Sequence, residues 1–112
     1  MSDVLLDWVD DGVEPDRATR KSAVKASLDE LARRAPGRSV EVRVPPFGAV
    51  QCVEGPRHTR GTPPNVVEAD PRTWIALAVG RLSWDDALAD GRVSASGSRA
   101  GEIAAFLPLR TP

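Results

Sequence analysis

The second half of this chain is cut into short elements by residues that start and stop helices. Asp70 followed by Pro71 reads as a helix entry: a side-chain acceptor for free backbone N–H groups, then a ring whose fixed φ suits the first turn. That helix carries Trp74, Leu77 and Ala78 inward and stops at Gly80. Ser83, with Asp86 three residues on, approximates a capping box, and Gly91 closes the short helix it opens. Arg92 to Ser96 reads as a strand, Gly97-Ser98 as a turn, and Gly101 to Leu107 as a last helical piece before Pro108. Helices this short are marginal alone, so they must be held on something longer.

The longer element lies upstream. Asp16 is a good N-cap, Val24, Leu28, Leu31 and Ala35 recur at helical spacing, and Pro36-Gly37 stops the run, which predicts a helix from Arg17 to Arg34. From Ser39 to Val44 the pattern changes to alternation, with Val40, Val42 and Val44 on one side and Glu41 and Arg43 on the other. Pro45-Pro46-Phe47-Gly48 turns the chain into a second, more buried strand over 49–54, antiparallel to the first. Val66 to Ala69 supplies a third strand, and Leu5, Leu6 and Val9 allow a short helix over 3–10. The order α-β-β-β-α-α-β-α predicts an α+β domain. It has a small, mainly antiparallel sheet, a long helix near the start and short helices packed on one face. With 112 residues the chain makes one such domain, over 17–109, with an acidic segment 1–16 before it and a tail 110–112 after it.

Charge excludes several classes of function. Fifteen basic and sixteen acidic residues leave a net charge of −1, so no general affinity for nucleic acid is expected. The longest plainly apolar run, Trp74 to Gly80, is far short of a membrane span, and no integral membrane association is expected. The start, Met-Ser-Asp, carries acids where a signal peptide has bases, and the single cysteine, Cys52, suits a reducing compartment; both point to the cytoplasm. The acids of 1–16 and the bases of 17–38 either lie along each other or stand in solvent. Exposed pairs are worth only about 0–1 kcal/mol each, which favours solvent.

The stretch from Val66 to Leu109 resembles the sterol carrier protein type 2 superfamily. In that family a strand leads to a short helix, a glycine, a second short helix, another glycine, a strand and a small-residue turn. Here those points are Val67, Asp70, Trp74, Gly80, the helix of Asp85 to Asp90, Gly91, Val93, Gly97 and the helix of Ile103 to Leu107. With the preceding helix and strand pair, the resemblance spans about residues 17–109. The stretches 43–51 (RVPPFGAVQ) and 55–65 (GPRHTRGTPPN) look like a compact bacterial branch of it. Membership implies a soluble fold that often holds a hydrophobic tunnel for fatty-acyl chains or sterols, and it does not imply catalysis.

Two site readings follow. An apolar pocket would be lined from the inner sheet face and the helices above it by Phe47, Val50, Trp74, Leu77, Leu82, Trp84, Leu88 and Phe106. The same residues could instead simply fill the core, since interiors are dense and voids cost stability. The Gly- and Pro-rich loop 55–65 would form a polar mouth, with Arg57, His58, Arg60 and Asn65 placed to meet an anion. Its alternative is structural, with Arg57 or Arg60 paired to Glu54 or Glu68. One Cys and one His are too few for a zinc site, no phosphate-binding glycine motif or serine elbow occurs, and Cys52 falls in a buried strand where a thiol is inert. Neither a cofactor, a metal nor an enzyme is therefore expected. Two functions remain: non-catalytic binding of a small apolar or amphipathic ligand, or an interaction module with a filled core and no tunnel. A homodimer stays open, because a second subunit is one way to close a cavity in so small a domain.

Overall fold

The computed structural model describes residues 3–55 and 65–109. Helix α1 (Asp3–Val9) is followed by α2 (Arg17–Arg34), β1 (Val40–Val44), β2 (Gly48–Cys52), β3 (Asn65–Ala69), α3 (Pro71–Ala78), α4 (Trp84–Ala89), β4 (Val93–Ser96) and a 3-10 helix (Ala100–Phe106). The fold is α+β, of a kind compatible with the sterol-carrier type.

The helix starts are set by the side chains that mark them. Asp16 accepts from Thr19 N at 2.8 Å, Asp70 from Thr73 N at 3.3 Å and Ser83 from Asp86 N at 3.1 Å. Each satisfies a backbone donor that the first turn leaves free.

The sheet runs in the order β2-β1-β3-β4. Outer pairs β1–β2 and β3–β4 are antiparallel, but β1 and β3 run parallel, so the sheet is mixed. The reason is topological. Cys52 at the end of β2 and Asn65 at the start of β3 both sit opposite Val40, so the chain re-enters the sheet at the end where β1 begins. The second strand is also shorter than its composition suggests. It stops at Cys52 because Val53 swings to φ 67°, a costly conformation for a β-branched residue. Three hydrogen bonds hold it there: Val53 N donates to Ala35 O at 2.7 Å, and Ser39 N and Oγ donate to Val53 O at 3.1 and 2.6 Å. Gly37, at φ 146°, lies against this corner, where a Cβ would collide with the Val53 carbonyl.

One face of the sheet is apolar. Val40, Val42, Val44, Val67, Ala69 and Val93 point to it and meet Val24, Leu28 and Leu31 of α2 and Ile75 and Leu77 of α3 in one continuous core. Glu41, Arg43, Glu68, Ser94 and Ser96 occupy the other face.

The acidic segment is not a free tail. Leu5 and Trp8 of α1 are buried in the same core, and α1 lies along α3. Arg72 Nε donates to Trp8 O at 3.0 Å and its guanidinium also pairs with Asp11. Asp10 meets Arg81 at 3.2 Å, and Glu14 meets Arg20 at 3.6 Å. Of its six acids, Asp10 and Asp11 are thus spent on α3 and the turn after it, while Glu14 pairs with α2 and Asp16 caps it.

Candidate ligand groove

Between α1 and α2 the surface falls into a half-open groove of about 520 Å³, within the range of about 300–1,000 Å³ that holds small ligands. One wall is α2, through Ala18, Thr19, Ser22, Ala23, Ala26, Ser27 and Glu30. Leu5 of α1 faces it, and Ala78 and Leu109 contribute from the end of α3 and from the C-terminal segment. Leu109 N donates to Ala78 O at 2.9 Å, which fixes those two together. The groove exists because residues three and four apart share a helix face, and here that face carries only small side chains until Glu30. A long side chain at Ser22 or Ala26 would fill it.

Its chemistry is apolar with hydroxyls along one wall. Glu30 closes one end, where its carboxylate is already bound by Arg33 and Arg34. Ser27 Oγ accepts the indole N–H of Trp74 at 2.8 Å and returns its own hydrogen to Ala23 O or Val24 O. At the other end, hydrogen bonding to Thr19 holds the Asp16 carboxyl below the usual carboxylate range.

None of the eight apolar residues expected to line a pocket borders this groove. Trp74 and Leu77 are fully buried in the core, one layer behind the wall, and Trp74 touches it only through Ser27. Phe47 is buried at the turn, with the guanidinium groups of Arg17 and Arg20 5.4 and 5.8 Å from its ring centre. Val50, Leu82, Trp84 and Phe106 are half-buried against the core edge. Leu88 faces solvent at 42% exposure, because six-residue α4 turns only Ala87 inward.

The expected polar mouth is divided. Arg57, His58 and Arg60 lie outside the described residues. Asn65 is only 3% exposed, and both ends of its amide are engaged: Nδ2 donates to Ser39 O at 2.8 Å, and Oδ1 accepts from Arg99 N at 3.0 Å. It ties the first strand to the turn before the 3-10 helix, which takes it out of anion binding. Arg99 continues this clasp, donating to Glu54 O at 2.7 Å and pairing with Glu102.

Cys52 is buried in β2, and burial pushes its thiol up to about 11. Among the described residues no group of three or more His, Cys, Asp or Glu is placed to hold a metal ion, and no helix is long and apolar enough to cross a membrane.

A protein-family model described as "bacterial SCP ortholog" matches residues 16–109. No curated protein matches the chain.

Proposed function

We propose, from the premise that this chain belongs to the bacterial SCP (sterol carrier protein) ortholog family, that it binds a small apolar or amphipathic molecule of lipid, sterol or fatty-acyl type without chemically altering it. The observation that carries this reading is the groove of about 520 Å³ between α1 and α2, large enough for such a molecule and walled by side chains too small to fill it. A ligand would lie along α2, its apolar body against Ala18, Ala23, Ala26, Ala78 and Leu109, with Thr19 and Ser22 offering hydroxyls to a polar group. Family membership supports lipid binding as a class, and the groove offers room for such a ligand. A non-catalytic role is supported by Cys52, whose thiol is buried and kept protonated at neutral pH. A buried, reduced cysteine also fits a cytoplasmic protein.

A second reading, an interaction module on the same scaffold, is favoured by one observation. The space between sheet and helices is filled by Trp74, Leu77, Ile75 and the strand valines, so no tunnel is needed to account for that core.

Displacement of a fluorescent fatty acid separates the two, backed by native mass spectrometry of protein purified from a bacterial host. Binding in the micromolar range, or a co-purifying lipid, is expected. Neither displacement nor a retained small molecule would leave the interaction module as the better description.

A further inference from the structure

We propose that the groove measures chain length: it holds a single unbranched acyl chain along α2 and gains nothing from carbons beyond about the fourteenth. This rests on the reading of the groove as a ligand site, and it adds to that reading a chain type and a limit.

The length is set by α2. Its groove-lining residues run from Ala18 to Glu30 on one continuous face. From Thr19 to Glu30 the helix rises about 16 Å. An extended chain advances about 1.2 Å per bond, so about thirteen bonds, or fourteen carbons, span that distance. Both ends of the span are polar. Glu30, half-buried, closes one end with its carboxylate drawn onto Arg33 and Arg34 of the next turn. Arg33 follows Glu30 on the same side of the helix and is itself exposed. A methyl group pushed past Glu30 therefore leaves Ala26 behind and meets guanidinium and water, where it loses the gain of burial. At the other end the Asp16 carboxylate caps the helix through Thr19 N at 2.8 Å. That end suits an uncharged head with hydroxyls, which can meet Thr19 and Ser22, and does not suit more chain.

Shape favours a chain over fused rings. The wall opposite α2 is made at three separate points, Leu5 of α1, Ala78 at the end of α3 and Leu109 of the C-terminal segment. A flexible chain bends to meet each in turn, whereas a rigid ring system needs a flat face on both sides.

The test is a series of saturated 1-monoacylglycerols of 8 to 18 carbons, competing with a fluorescent fatty acid for the native protein. Affinity is expected to rise about two- to fourfold per carbon, the lower figure where the half-open groove buries each methylene only in part. The rise should level off at about fourteen carbons. Two substitutions at surface positions should move that break in opposite directions. Ala26→Leu fills the groove one turn early and is expected to shorten the limit by about four or five carbons while the shortest chains still bind. Glu30→Ala removes the end wall and is expected to lengthen it by about four carbons, the reach of one further turn. A rise that continues unbroken to 18 carbons, or a break that stays put in both variants, overturns the length limit while leaving the groove as a ligand site. Cholesterol competing better than every member of the series overturns the choice of a chain. If no member of the series and no sterol displaces the probe, the ligand site itself is refuted and the length limit with it.

Discussion

Ser27 links the core to the groove wall through a single oxygen. Its Oγ is the only hydrogen-bond partner of the fully buried Trp74 indole among the described residues, at 2.8 Å. Ser27→Ala leaves that N–H buried and unpaired, a penalty of about 1–3 kcal/mol, reduced slightly because Ala suits a helix better than Ser. A loss of about 1–2 kcal/mol in urea unfolding is expected, and it should vanish when Trp74 is already Phe, which has no donor to strand. An equal cost in both backgrounds would show that the hydrogen bond is not the cause. Cys52 gives a second test at this scale. Its thiol pKa rises from 9.0 to about 11 in the fold, so the unfolded chain loses its proton first as pH climbs. Stability from this group is therefore complete below pH 9 and declines between 9 and about 11. At about 1.4 kcal/mol per pH unit, the decline reaches roughly 2–3 kcal/mol. Cys52→Ala lacks this slope, so the stability gap between native and variant protein should narrow as the solution is made alkaline. A constant gap would mean that Cys52 does not titrate differently in the two states.

At the scale of the element, α1 is anchored by Leu5 and Trp8 in the core, and one further side chain fixes its C-terminal end. Arg72 donates to Trp8 O at 3.0 Å and pairs with Asp11, holding the end of a seven-residue helix that is marginal alone. Arg72→Ala is expected to raise amide exchange in α1 by about tenfold or more while α2 and the sheet keep their protection, because the lost contact lowers the cost of opening α1 and of nothing else. Uniform loss of protection would show instead that Arg72 supports the whole domain. The helices themselves were legible because their signals are local. Asp16, Pro36-Gly37, Asp70-Pro71, Ser83 and Gly91 act within a turn of where they stand, and the helices begin and end beside them. The sheet was legible strand by strand but not in its pairing. Alternation in 40–44 shows a half-buried strand, yet nothing in it says whether the third strand lies parallel or antiparallel to it. That was decided by where the connection after Val53 returns. The attachment of α1 was hidden for a similar reason: its acids suggest solvent, while its hold comes from Leu5 and Trp8 in the core and from a base sixty residues away that bonds to backbone carbonyls.

At the scale of the whole molecule, the groove lies one layer away from the bulky residues that the sequence pointed to, and the physical reason is general. Bulky apolar residues mark a pocket in a sequence, but in a domain this small they close space rather than leave it. Trp74 and Leu77 fill the core, and the groove appears where Ala18, Ser22, Ala26 and Thr19 fail to fill it. The legible sign was a face of α2 with neither apolar bulk nor charge over three turns. This gives opposite expectations for two substitutions. A ligand at a hundred times its dissociation constant stabilises its host by about 2.7 kcal/mol, and a domain near this size gains about 4–8 °C per kcal/mol, so a melting shift on the order of 10 °C or more is expected for the native protein with a fatty acid or sterol. Ala26→Trp puts an indole into the groove and should remove the shift while the protein still melts cooperatively. Leu88→Ala, on the exposed side of α4, should keep it in full. The reverse outcome, binding lost with Leu88 and kept with Trp at 26, would place the ligand between the sheet and the short helices, and the core would then have to open to admit it.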